Sequence, residues 1–239
     1  MTQRSILVTG GAGYIGSHVV LQLRERGERV VVLDDLSTGF REAVRDAPLI
    51  IGNAGDVALV KKILHEHDVD TVMHFAASIS VPDSVRDPLA YYRNNTVNTR
   101  ALLEACAAHG LTQFVFSSTA AVYGMPATGR AKLMSEWMLR DVATATAAAN
   151  NPLRYVALRY FNVAGADQKL RIGQALKASF HLVHVAADDD GVHDRMNLGA
   201  LVVLDLGRAI VRIEPLDIGI TAERLRNASA DDGLQLALL

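Results

Sequence analysis

The 239-residue chain is half apolar and 21% charged, with a net charge of −2. That length supports a full core, as one large domain or one and a half. The charge balance excludes a basic surface for nucleic acid or anionic lipid, the lone cysteine, Cys106, excludes a disulfide framework, and no apolar run approaches the roughly 18 residues that cross a bilayer.

The first predicted element is a short buried strand, Ile6 to Val8, entered almost at once, so no signal peptide is expected. Gly11-x-Gly13-x-x-Gly16 follows and turns the chain into a helix from about Tyr14 to Arg26. The spacing fits a dinucleotide fingerprint: one glycine for the turn, one for backbone approach to a pyrophosphate, one for helix–strand packing. The helix N-terminus, with its free N–H groups and dipole, favours that anion. A second strand, Arg29 to Leu33, ends on Asp34, a carboxylate placed to accept hydrogen bonds from an adenosine ribose and to repel a 2′-phosphate. The expected cofactor is therefore NAD rather than NADP.

Strands and helices then alternate. A strand is predicted over Pro48 to Ile51, a helix over Asp56 to His65, a strand over Thr71 to Phe75 and a long helix over Leu89 to His109. Gln113 to Ser117 reads as a strand. Arg130 to Thr144 reads as a helix, with Leu133, Met134, Trp137, Met138 and Val142 at helical spacing, and Arg154 to Tyr160 as a sixth strand. A helix over Arg171 to Ala187, a loop at Asp188 to Gly191, a strand over Leu201 to Leu204 and a short helix from Asp205 complete the pass. This pattern predicts an α/β fold, a Rossmann-type doubly wound parallel sheet with a reduced C-terminal substrate region. Residues 1–165 form the expected NAD-binding domain and 166–239 a partial substrate-binding region. Ligands of such sheets gather at the carboxyl ends of the strands.

Several blocks together carry a resemblance: Thr9 to His18, Val32 to Gly39, His74 to Ala77, Tyr91 to Asn95, Phe116 to Gly124 and Arg159 to Ala166. In these the chain resembles the extended short-chain dehydrogenase/reductase family and, within it, the UDP-glucose 4-epimerases. The resemblance implies a tightly bound NAD that takes hydride from C4 of a UDP-sugar and returns it to the other face, interconverting UDP-glucose and UDP-galactose. It also implies a homodimer using the helices at 89–109 and 130–144, and the lone cysteine fits a reducing cytoplasm.

The resemblance places the cofactor against Gly10, Gly13, Tyr14, Ile15 and Gly16 at the pyrophosphate. Asp34, Asp35, Leu36, Thr38 and Gly39 fall around the ribose, and Asn53 and Ala54 at the adenine, with Asn53 replacing a family Asp. Phe75, Ala76, Ala77, Asn95, Ser117, Lys132 and Phe161 fall along the rest of the cofactor. Ile79 stands where many members have a cofactor-contacting Lys. Thr119 takes the place of the catalytic Ser/Thr, and Asn162, His181 and Leu182 are the substrate candidates. No metal site is expected, because His181, His184, His193 and Asp194 lack a regular ligand spacing.

One motif departs from the family. Its base is the Tyr of Tyr-x-x-x-Lys, whose Lys sits one helical turn later and lowers the Tyr pKa. Here Lys132 matches and Thr128 holds the Tyr position; no Tyr-x-x-x-Lys occurs anywhere in the chain. The loop before this helix is also short, only Met125, Pro126 and Ala127. It is either a true deletion or a junction of segments that lie apart in a longer chain. Three other readings stay open: a non-catalytic NAD-binding protein, favoured by the missing Tyr; a ketoreductase; and a nucleotide-sugar 4,6-dehydratase, disfavoured by Ala120 and Ala121 where acids are needed.

Overall fold

A computed structural model describes residues 4–124, 127–160, 163, 166–167, 169, 171–173 and 175. The expectations at Phe161, Asn162, His181 and Leu182 lie outside the described residues, as do most of the helix expected from Arg171 and the elements expected beyond it. A first compact unit spans Met1–Arg159 and a second begins at Tyr160. In the second, Arg171 Nε pairs with Asp167 Oδ2 at 2.7 Å.

The first unit is built on six parallel strands: β1 (Ser5–Thr9), β2 (Arg29–Asp34), β3 (Leu49–Ile51), β4 (Val69–His74), β5 (Gln113–Ser117) and β6 (Arg154–Leu158). Their order is β3-β2-β1-β4-β5-β6. The runs Ile6-Leu7-Val8 and Val30 to Leu33 are buried along their length, the pattern of strands covered on both faces. The chain reverses direction across the sheet between β1 and β4. That switch point opens a crevice at the carboxyl ends of the two strands.

The helices are set by local chemistry. α1 (Tyr14–Glu25) follows the glycine turn. A short α2 (Arg41–Val44), not foreseen from the sequence, lies between β2 and β3. α3 (Val57–Glu66) starts on Asp56, whose carboxylate accepts the Leu59 N–H at 3.0 Å. α4 (Val81–Arg86), also unforeseen, is capped by Ser80, and α5 (Pro88–Tyr92) by Asp87 with Pro88 at its first position.

The long helix expected over 89–109 is three pieces. α5 runs into a π-helical segment, Arg93–Val97, and then into α6 (Asn98–His109), which ends on left-handed Gly110. The break has a tertiary cause. The Asn95 carbonyl accepts the Thr99 hydroxyl at 2.8 Å, and the Ser135 hydroxyl on the next helix stands 3.1 Å from both it and the Ala131 carbonyl.

That next helix, α7 (Ala127–Ala148), begins earlier and ends later than predicted. Its buried side chains are Ala127, Thr128, Ala131, Lys132, Ser135, Glu136 and Leu139. The expected apolar stripe holds in part: Met138 and Val142 pack against the core, while Met134 and Trp137 are 40% and 48% exposed. A 3-10 turn, Ala120–Tyr123, joins β5 to the residues before α7. The core gathers Leu7, Val31 and Leu33 of the sheet with Val60 and Ile63 of α3, Leu102 and Leu103 of α6, and Phe114 and Phe116 of β5.

Candidate active site

The glycine turn is shaped by what cannot fit. Gly10 has φ +72°, and a Cβ there would stand 2.4 Å from the Ala76 nitrogen. A Cβ on Gly16 would stand 2.1 Å from the Gly10 carbonyl oxygen, so α1 can pack on the turn only as glycine. Gly13 is different. A Cβ there would meet only the Gly10 oxygen, at 3.3 Å, so the outer side of the turn is open space. α1 starts on Gly13 with no side-chain cap and no acid in its first turn, beside Tyr14 and Ile15. An open backbone and a positive helix end fit a pyrophosphate.

Asp34, at the end of β2 and 7% exposed, ties this turn to the next loop. Its Oδ2 accepts the Ala12 N–H at 2.9 Å and its Oδ1 the Leu36 N–H at 2.8 Å. Leu36 is held at φ +57°, a strained conformation for a leucine, which the Asp34 contact stabilises. Gly39 packs against Ala12, and the adjoining Phe40 N–H donates to the Ala12 carbonyl at 3.0 Å. Thr38 is exposed. Asp35 is exposed and accepts from both the backbone and the hydroxyl of Ser37. Asn53 is exposed beside it, whereas the Ala54 side chain is buried in the core.

At the end of β4, His74 is fully enclosed between two threonines. Nδ1 lies 2.6 Å from Thr9 Oγ1 and Nε2 lies 2.9 Å from Thr99 Oγ1. The Thr99 hydroxyl gives its only proton to the Asn95 carbonyl, so Nε2 carries the imidazole proton and Nδ1 accepts from Thr9. Burial pushes His74 down to about 3, helped by the charge of Lys132, and the ring stays neutral. Phe75, Ala76 and Ala77 follow, half-buried along the crevice. Asn95 spans it from the π segment: its Oδ1 accepts the Ser78 N–H at 2.8 Å and its Nδ2 donates to the Ser78 carbonyl at 2.9 Å.

At the end of β5, successive turns of α7 grip successive residues. Lys132 Nζ donates to the Ser117 carbonyl at 2.8 Å and sits 4.9 Å from the centre of the Phe116 ring. Ser118 donates its hydroxyl to Glu136, one turn further on. Arg159, just past β6, forks onto the same carboxylate, with Nε 3.0 Å from Oε1, and reaches the Tyr123 hydroxyl at 2.9 Å. Gly129 lies against the Ala121 carbonyl, where a Cβ would stand at 2.0 Å. Thr119 Oγ1 caps the 3-10 turn by accepting the Ala121 N–H at 3.1 Å. Thr128 is buried in the first turn of α7, and its hydroxyl has no hydrogen-bond partner. Lys132 has lost its water without gaining a carboxylate, and burial pushes it down to about 7.

The fold thus brings the glycine turn, Asp34, Phe75 to Ala77, Asn95, Ser117, Thr119 and Lys132 to the carboxyl ends of four neighbouring strands, β2, β1, β4 and β5. Sequence reasoning missed His74 and the Ser118–Glu136–Arg159 chain. Glu136 had one usable signal: it stands four residues after Lys132, on the same face of α7. No group of His, Cys, Asp and Glu able to hold a metal exists among the described residues, and no described helix is long and apolar enough to cross a membrane.

Residues 6–188 match the NAD dependent epimerase/dehydratase family. The UDP-glucose 4-epimerase of Azospirillum brasilense is 51% identical over 76% of this chain and 55% of its own. A solved UDP-glucose 4-epimerase from Brucella ovis, in complex with NAD, is 40% identical with a TM-score of 0.72, over 77% of this chain and 59% of that one. A second, from Stenotrophomonas maltophila with bound NAD and formylated UDP-arabinopyranose, is 33% identical with the same TM-score and coverage of 77% and 61%. The chain therefore spans little more than half the length of these relatives.

Proposed function

The chain belongs to the NAD dependent epimerase/dehydratase family, and from that premise we propose that it binds NAD at the β1–β4 crevice and acts at C4 of a UDP-sugar, interconverting UDP-glucose and UDP-galactose. One observation carries the reading: the open glycine turn held by Asp34 and the Lys132–Ser117 contact stand at the carboxyl ends of strands of one sheet.

Residues 1–165 make up the cofactor domain in this reading and 166–239 a partial substrate region. The backbone around Gly13, Tyr14 and Ile15 holds the pyrophosphate, and Asp34 and Asp35 the ribose. Phe75, Ala76 and Ala77 flank the cofactor, as does Asn95 from the π segment, and Lys132 with Ser117 holds the nicotinamide end. When bound, NAD supplies the oxidant that removes hydride from C4 and later returns it. Thr119 hydrogen-bonds the reacting hydroxyl. The missing Tyr makes turnover slow, since loss of a general base costs about 10²–10⁴ in rate.

The same reading includes a homodimer in the cytoplasm. Leu89, Val97, Met134 and Trp137 are exposed on α5, the π segment and α7, large apolar side chains available to a second copy. Gel filtration is expected to give twice the monomer mass. A second reading, NAD binding without catalysis, is favoured by Thr128 alone.

Measuring the intact mass and bound NAD of the purified chain, then assaying the same sample with UDP-galactose, tests the proposal. Stoichiometric NAD with slow turnover is expected. Absence of NAD binding overturns it, and tight NAD binding with no turnover of any UDP-sugar establishes the second reading.

A further inference from the structure

We propose that in this chain the side-chain amine of Lys132 is itself the proton acceptor for the sugar hydroxyl at C4. The proposal rests on the reading above and adds the identity of its base.

Elimination leads to this residue. Among the described residues, the carboxylates, imidazole and amine buried at the carboxyl end of the sheet are those of Asp34, Glu136, His74 and Lys132. Asp34 spends both oxygens on the backbone amides of residues 12 and 36. Both ring nitrogens of His74 are bound to threonines. Glu136 is held by Ser118 and Arg159. Lys132 differs: it forms no ion pair with any described carboxylate, and its one hydrogen bond goes to a neutral carbonyl. On the neighbouring 3-10 turn, the Tyr123 phenol is 65% exposed and its oxygen accepts from Arg159. Arg130 is turned onto the Tyr92 hydroxyl. Tyr91 of α5 is buried, and burial holds its phenol above the usual range. The residue one turn before Lys132 is Thr128, whose alcohol is far too weak an acid to serve as a base near neutrality.

The geometry around Nζ suits an amine that gains and gives up one proton. As a neutral amine it keeps its N–H on the Ser117 carbonyl and points its lone pair elsewhere. As an ammonium it lies over the Phe116 ring, whose face favours the positive charge. Thr119, two residues beyond Ser117, has its oxygen fixed by the Ala121 N–H, so its own proton is available to the reacting oxygen. A lysine buried without a counterion is the usual form of a lysine general base. In the step, the O–H bond of the hydroxyl breaks and its proton moves to the Nζ lone pair. The O–H electron pair becomes the second C4–O bond as hydride leaves C4 for the oxidant named above. The reverse step returns the proton from Nζ, so nothing else is consumed.

The test uses the full chain labelled with 13C-lysine. Its five lysines, at 61, 62, 132, 169 and 177, give a countable set of 13Cε signals. One signal is expected to titrate near pH 7 without cofactor and to vanish in Lys132→Arg, which keeps a cation but cannot act as a base. With its cofactor site saturated, as read by NADH fluorescence, that variant is expected to turn over UDP-galactose about 100-fold or more slowly than the parent. The parent rate is expected to rise about tenfold per pH unit below 7 and then level. The proposal is overturned if every lysine titrates above about pH 9.5, if Lys132→Arg keeps its turnover, or if the parent binds NADH but turns over no UDP-sugar at any pH. Failure of the parent to bind NADH overturns the cofactor reading as well.

Discussion

Ser118, just past β5, gives its hydroxyl to Glu136 and so ties the end of that strand to the middle of α7. The carboxylate is 8% exposed, and Arg159 closes on it with Nε at 3.0 and 3.2 Å from its two oxygens. Removing the carboxylate strands a buried hydroxyl and frees a guanidinium that is one-third exposed. Glu136→Ala is expected to cost about 2 kcal/mol, between a surface pair and a fully buried one. A urea denaturation midpoint unchanged from the parent would show that Glu136 contributes no more than a solvated charge.

Two glycines of the same turn are expected to separate folding from binding. Gly16→Ala drives a methyl into the Gly10 carbonyl, 2.1 Å away, and must displace α1 from the turn. It is expected to lower the melting temperature by several degrees and to abolish NADH binding. Gly13→Ala meets the same oxygen at 3.3 Å, a tight contact that a shift of a few tenths of an ångström relieves. It is expected to fold with nearly the parent melting temperature and to bind NADH at least about tenfold more weakly, because the methyl occupies the pyrophosphate face. Equal binding losses with equal unfolding in both would remove the distinction.

The strands were legible because burial on both faces leaves unbroken apolar runs such as Val30 to Leu33. The glycine turn and Asp34 were legible because their chemistry is local. The π segment was not. Its cause is the Ser135 hydroxyl, forty residues away from Asn95, and no window of sequence contains both. Met138 and Val142 of α7 do pack on the core, but the rest of its face was misjudged for a related reason. Periodicity favoured Met134 and Trp137, but the face that packs on β5 must answer Ser117 and Ser118, and so it carries Lys132, Ser135 and Glu136. A polar buried face is invisible to hydrophobic spacing.

Asp34 holds the turn and, in the function proposed above, the ribose, and Asp34→Asn is expected to impair both. Either orientation of the amide turns an N–H toward one of the two backbone donors, Ala12 or Leu36, so the turn loosens. NADH affinity is expected to fall about tenfold, roughly 1.4 kcal/mol, while NADPH affinity rises because the repelling charge is gone. Fluorescence titration with both cofactors measures this. NADH binding unchanged from the parent would mean that Asp34 neither holds the turn nor meets the ribose.

Acid should destabilise the fold through His74. Its folded value, about 3, lies below the 6.5 of an exposed histidine. Above pH 6.5 the ring is neutral in both states. As the pH falls from 6.5 toward 3, the unfolded chain takes up a proton that the folded chain refuses, and stability is lost at up to about 1.4 kcal/mol per pH unit. Urea midpoints between pH 7 and 4 are expected to fall more steeply for the parent than for His74→Asn. Parallel slopes would show that the ring is protonated in place.

Lys132 works with the same sign over a higher window. Its folded value of about 7 lies below the ordinary 10.5, so the charged form is disfavoured by burial. Stability tied to this residue is complete above pH 10.5 and is lost as the pH falls to 7, where the unfolded chain is protonated and the folded chain is not. Below 7 the deficit is constant. Lys132→Met keeps much of the buried stem and never carries the charge. It is therefore expected to be more stable than the parent at pH 7 and to lose that advantage progressively toward pH 9.5, even though it cannot support turnover. Melting curves of the pair across that range test this directly. A methionine variant less stable at pH 7 than at pH 9.5, relative to the parent, would mean that the ammonium is stabilised in the folded protein rather than merely tolerated.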